Sequence, residues 1–137
     1  MSKRRDILKL AAGVPTLALL AETPGGLPNA VREEGAAKLT REEFGDLRVY
    51  FDGPTEQLKS VTAGSLRLKP GMSPHAPHQH PEEEIMVVTE GTGEISIEGK
   101  ITRVAPGSVM FCEAGNLHGI VNTGKTPLLF YYWKWRA

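Results

Sequence analysis

Disulfide bonding is excluded at the outset, because the chain holds a single cysteine, Cys112, and one thiol cannot close an intramolecular bridge. An excess of charge of one sign is also lacking. Sixteen Lys and Arg side chains balance sixteen Asp and Glu, for a formal net charge of zero, so no basic field invites nucleic acid. Long apolar runs are missing too. The best candidate, Leu10 to Ala21, is interrupted by Gly13, Pro15 and Thr16 and falls short of the roughly 20 residues a membrane span needs. There is no internal repeat, no low-complexity tract and no helix-turn-helix pattern. The length of 137 residues suits one domain and not two of ordinary size.

What the chain does have is turns. Fifteen glycines and ten prolines punctuate short runs rich in β-branched and aromatic residues, the texture of an all-β fold. Strands are expected over Leu47 to Phe51, Val61 to Leu68, Glu84 to Thr89, Ser108 to Cys112, His118 to Asn122 and Leu128 to Trp135. Glu94 to Glu98 and Lys100 to Val104 should form a hairpin around Gly99. Strands spaced about 8–12 residues apart with turn signals between them point to a sandwich or barrel.

The amino terminus reads as an export signal rather than as part of the fold. Lys3, Arg4, Arg5 and Lys9 precede the short apolar run, and Lys3-Arg4-Arg5-Asp6-Ile7-Leu8-Lys9 resembles the twin-arginine signal. Residues 1–21 are thus assigned to a signal peptide, with cleavage somewhere between 21 and 30. Those residues carry four basic groups and one acidic group, so their removal takes the remainder to about −3. Residues 22–43 are expected to form a flexible connector, with one helical turn between Ala36 and Phe44. The barrel should occupy 44–137. The expected location is periplasmic or otherwise exported, with no stable membrane insertion after export.

Chemistry concentrates in two places. In Pro77-His78-Gln79-His80-Pro81-Glu82-Glu83-Glu84, side chains on an extended chain would point the same way at alternate positions, so His78, His80 and Glu84 share a parity. His118 opens a later strand that a barrel can bring opposite. Three imidazoles and one carboxylate form a borderline-to-hard donor set suited to one divalent ion of iron, manganese, nickel, cobalt or zinc. His75 is the fourth histidine, most simply solvent-facing or hydrogen-bonding. Met86 and Val88 share the parity of Glu84, and Ile120 that of His118. They either line a pocket around the metal or pack the barrel. Cys112 reads as a small buried hydrophobe, since nothing nearby in sequence supplies a base.

These segments resemble the two signature motifs of the cupin superfamily. The first is present as Gly71, His78-Gln79-His80, Glu84 and Gly91. The second is present as Gly107, Gly115, His118 and Asn122. Two departures stand out. The spacer from Gly71 to His78 is one residue longer than usual, which would place a bulge in the strand entering the site. Glu113 also stands where the second motif prefers proline. The resemblance implies an all-β fold, a single cupin double-stranded β-helix or jelly-roll barrel. It also implies metal binding by His78, His80, Glu84 and His118, and a homodimer paired through its outer strands.

Four protein ligands on a six-coordinate metal leave about two positions open, which suits a metal-dependent enzyme acting on a small molecule, dioxygenase-type chemistry foremost. Glu84 could then serve as a base if it leaves the metal. The alternative is a non-catalytic periplasmic cupin that binds a small molecule or carries metal. Nucleic acid is not an expected partner under either reading.

Overall fold

A computed structural model describes residues 26–137; the signal assigned to 1–21 and the first residues of the connector lie outside them. A 3-10 turn at Glu34–Ala36 leads into nine strands. These are β1 (Lys38–Glu42), β2 (Gly45–Gly53), β3 (Ser60–Leu68), β4 (Glu83–Glu90), β5 (Gly93–Ile97), β6 (Lys100–Val104), β7 (Val109–Cys112), β8 (His118–Asn122) and β9 (Leu128–Arg136). One antiparallel sheet runs β1-β2-β3-β9-β4-β7, and a smaller one runs β6-β5-β8. The result is the expected all-β jelly-roll barrel, and the strands read from sequence lie within two residues of those observed.

The core follows from period-two alternation. Leu66 and Leu68 of β3, Met86 and Val88 of β4, and Leu128, Phe130 and Tyr132 of β9 face inward. Ile95 and Ile120 meet them from the smaller sheet. Each such side chain contributes about 1.5–3 kcal/mol when it leaves water. On β9 the other parity, Tyr131, Trp133 and Trp135, faces away from the barrel interior, and Trp133 is 40% exposed.

The connector assigned to 22–43 ends in β1, and the helical turn expected between Ala36 and Phe44 is replaced by the earlier 3-10 turn and this strand. All five residues of β1 are exposed, so the segment carries no apolar alternation to betray it. It forms because Glu42 pairs with Gly45 across the two-residue link Glu43-Phe44, which aligns the whole segment with β2. Backbone pairing, rather than burial, holds it. Among the described residues, no helix is long and apolar enough to cross a membrane.

Candidate metal centre

After β3 the chain turns at Lys69-Pro70-Gly71, where Met72 N–H donates to Lys69 C=O and Gly71 takes a positive φ of 78°. It then runs to β4 without regular strand structure, except for a single bridge between His78 and His118. The bulge expected in a strand entering the site is therefore absent, because this segment is a loop that takes up the extra residue. Bulges occur instead in β2, between Val49 and Phe51, and in β4, between Val88 and Glu90.

Backbone hydrogen bonds stitch the two motifs together. His78 N–H donates to His118 C=O at 2.9 Å, and His118 N–H donates back to His78 C=O at 2.8 Å. Gly115 N–H donates to His80 C=O at 2.8 Å. The turn around Gly115 closes without the proline of the usual motif: Gly115 itself supplies the positive φ of 78°, and Asn116 N–H reaches Glu113 C=O.

This stitching brings the three imidazoles together. Ring centroids lie 5.2 Å apart for His78–His80, 5.1 Å for His78–His118 and 4.8 Å for His80–His118. Their nearest nitrogens all fall within 4.8 Å of one another. Glu84 of β4 lies against two of the three: its Oε2 is 3.1 Å from His80 Nε2 and 2.7 Å from His118 Nε2. Its side chain is almost fully buried.

The donor set fits a metal on its own chemistry. His118 Nδ1 lies 2.9 Å from Asn116 C=O, and His80 Nδ1 lies 3.1 Å from Glu82 C=O. A carbonyl can only accept, so both Nδ1 atoms carry the proton and the neutral rings present bare lone pairs at Nε2. Both lone pairs converge on a carboxylate oxygen that is itself an acceptor. Three acceptors meeting in a buried place require a cation, either a proton on an imidazole or a metal ion. Metal–ligand bonds of about 2.1 Å at right angles place neighbouring donor atoms about 3 Å apart, close to the spacings from Glu84 to His80 and His118.

Without a metal the same contacts shift the titrations. Burial pushes the Glu84 carboxyl up, but hydrogen bonds and charge from His118 and His80 outweigh it and hold the group below its ordinary value. The hydrogen bond to Glu84 raises His118 against the opposing effect of burial. His78 is lowered to about 4, first by burial and then by the neighbouring His75, His118 and His80. A carboxyl held low suits a ligand or charge partner better than a general base, which works best with a pKa near the operating pH.

A cavity of about 250 Å³ opens from the centre into the barrel. His75, Met86 and Ile120 line it, as does Glu84. Val88 does not. It is buried further along β4 among the core residues, so packing is its role. His75 is exposed and stacks on His78 with 3.6 Å between ring centroids, its Nδ1 on Ala76 C=O. Cys112 is buried, its thiol directed at the Glu113 and Asn116 carbonyls and pushed up by burial and by nearby Glu84.

The sequence reading missed two polar residues of this cavity, Tyr132 and Lys134 of β9. They share the parity of Phe130, but the aromatic run on β9 looks alike on both faces. Only the pairing of β9 between β3 and β4 decides which set points inward.

Comparison with known proteins places this geometry. The family model for the cupin domain matches residues 64–134. A 5-nitrosalicylic acid 1,2-dioxygenase from Bradyrhizobium is 33% identical over 54 residues, 39% of this chain and 26% of that protein. The chain therefore spans about a quarter of the length of this curated relative. An RmlC-like cupin from Shewanella frigidimarina superposes with a TM-score of 0.66 at 16% identity, covering 80% of this chain and 93% of the other. A predicted oxalate decarboxylase from Thermotoga maritima gives 0.62 at 24% identity, covering 79% and 100%. At these identities the structural likenesses speak for the fold alone. With the matched region spanning the loop of His78, the strand of His118 and the cavity wall on β9, the chain belongs to the cupin family.

Proposed function

We propose that this protein is a metal-dependent enzyme with dioxygenase-type chemistry on a small molecule. The observation that carries the reading is the convergence of three imidazoles, with a buried carboxylate against two of them, at the head of a mostly apolar cavity. Partial similarity to the 5-nitrosalicylic acid 1,2-dioxygenase supports the same direction. His78, His80, His118 and Glu84 would hold the ion, and the Asn116 and Glu82 carbonyls would fix two of the imidazoles in the ligating tautomer. A divalent redox metal bound there supplies Lewis-acid polarisation and a place for dioxygen beside a substrate. Phe44, Leu47, Leu66 and Phe130 give the cavity an apolar wall, so a ligand seated against it would displace water and strengthen the charge interactions there.

The test is oxygen uptake by protein loaded with iron(II), measured across a panel of small aromatic and aliphatic acids, alcohols and amides. Substrate-dependent uptake that disappears in His118→Ala is expected. Silence across the panel, with one equivalent of iron retained, counts against oxygenase chemistry and favours a binding protein.

The reading includes export through the twin-arginine route, which moves folded proteins. Folding around the ion before export would let the cytoplasm, rather than affinity, choose the metal. Replacing Arg4 and Arg5 with lysine is expected to block export, and unchanged export would sink this part. A homodimer belongs to the same reading, supported by Val109, Phe111 and Trp133 exposed on the outside of the larger sheet. Light scattering of the purified protein tests it, and a monomer at high concentration would count against it.

A further inference from the structure

Resting on the proposed metal site, we infer that Lys134 and Tyr132 form the anion-recognition end of the cavity and that the ligand is a small carboxylate with an apolar body. Antiparallel register sets Lys134 directly opposite Glu84, and Tyr132 opposite Met86. Residues so paired have Cβ atoms about 5 Å apart on the same face, so Lys134 and Tyr132 rise from the strand next to Glu84, and both line the cavity.

Neither polar group is satisfied by the protein. Lys134 is half-buried, and among the described residues no carboxylate lies within 4 Å of its ammonium. Glu84, its cross-strand neighbour, is already engaged by His80 and His118. The other nearby acid, Asp52, is exposed at the rim and accepts a hydrogen bond from the Thr62 hydroxyl. Tyr132 is 8% exposed, and its hydroxyl has no hydrogen-bond partner among the described residues. Burial, with Glu84 and Asp52 nearby, pushes it up to about 12, so it remains a donor at any physiological pH. The middle of β3 is shaped to receive it. A Cβ at Gly64 would sit 2.6 Å from the Tyr132 hydroxyl oxygen, so only glycine leaves room for the phenol there.

Two positions apart on one face of β9, an ammonium without a carboxylate partner and a free donor favour an anion, and charge-assisted hydrogen bonds to carboxylate are the strong kind. The rest of the wall is apolar, with Phe44, Leu47, Leu66, Ile120 and Phe130. A volume of about 250 Å³ lies at the small end of ligand pockets, which run from about 300 Å³ upward, and suits a ligand the size of a single ring with its carboxylate.

The test uses the full chain loaded with zinc(II), which binds ligand but cannot carry out oxygen chemistry, titrated calorimetrically with benzoate and with its neutral counterpart benzamide. Benzoate is expected to bind at least tenfold more tightly. Lys134→Met should erase most of that preference, weakening benzoate by about tenfold or more while benzamide stays within about twofold. Lys134→Arg should keep the preference, and Tyr132→Phe should weaken benzoate by a smaller factor. Zinc stoichiometry and melting temperature of each variant separate a local effect from misfolding. Equal binding of the two probes by the natural protein, no binding of either, or an undiminished preference in a folded, zinc-loaded Lys134→Met protein would each overturn the inference. Oxygen uptake that does not depend on Lys134 would leave the oxygenase reading standing without it. Selective benzoate binding with no oxygen uptake by the iron form would remove the oxygenase reading and leave the anion site.

Discussion

At the scale of the residue, the centre's behaviour turns on where its protons sit. In metal-free protein, His78 is lowered to about 4 and His118 is raised, so the two imidazoles should titrate well apart. Proton NMR of the metal-free protein is expected to show His78 losing its proton near pH 4 and His118 above 6.5. Glu84→Gln should bring His118 back down, since the carboxylate is the main cause of its shift; a His118 midpoint unmoved by that change would refute the assignment. The stability consequences have opposite signs. Between pH 6.5 and about 4 the unfolded chain takes up a proton that folded His78 refuses, so this residue destabilises the fold as pH falls through that window. His118 does the reverse: its contribution is complete below 6.5 and is lost as pH rises through its elevated value. Thermal melts of the natural protein and His78→Gln should therefore diverge between pH 6.5 and 4, the natural protein losing more. Parallel curves would show that His78 is not the buried neutral group described.

At the scale of the element, Asn122 is the residue whose loss should cost most relative to its size. It ends β8 fully buried. Its Nδ2 donates to Leu68 C=O at 3.0 Å and Thr126 C=O at 2.8 Å, and its Oδ1 accepts from Gly124 N–H at 2.9 Å. One side chain thus ties the end of β3 to the turn that launches β9. Asn122→Ala would leave all three groups without this partner, at about 1 kcal/mol each, so urea denaturation is expected to show a loss of about 3 kcal/mol. A loss below about 1 kcal/mol would mean that water replaces the amide. Gly64→Ala acts on the neighbouring element, because its methyl would meet both the Tyr132 ring and the Arg48 carbonyl of β2 at 2.6–2.7 Å. It should cost stability and shift the cavity wall together, with Tyr132→Phe unable to relieve the clash with backbone.

How much of this was legible in the sequence also divides by element. His78, His80, Glu84 and His118 could be read from spacing, since ligands to one ion leave a fixed pattern however the loop between them bends. The inward strands could be read wherever one face is apolar, as in β3 and β4. β1 was invisible because an exposed edge strand has no buried face to pattern it. Asn122 was visible as a motif position but not as a three-bond tie, because its partners lie on residues far apart in the chain. Lys134 and Tyr132 stayed hidden for a related reason: on a strand aromatic on both sides, parity cannot say which side is inside.

At the scale of the whole molecule, the centre is a clasp between the two sheets. Glu84 comes from the larger sheet and His118 from the smaller, while His78 and His80 come from the loop that joins β3 to β4 and touches β8 on the way. The direct strand pairs stay within each sheet, so across this end of the barrel the polar link includes the His78–His118 bridge, the Gly115–His80 hydrogen bond and the side chains around Glu84. An ion that binds only the assembled site adds RT ln(1 + [M]/Kd) to stability, about 2.7 kcal/mol at a hundredfold excess over Kd. For a domain of this size each kcal/mol moves the melting temperature by roughly 4–8 °C. Removing the metal with a chelator is therefore expected to lower the melting temperature by roughly 10 °C or more, and restoring one equivalent should recover it. His118→Ala takes the smaller sheet's ligand away, so its melting temperature should be nearly the same with and without metal. An equal metal-dependent rise in His118→Ala would mean that the ion is held by the loop and β4 alone, and that the two sheets are joined by packing without the clasp.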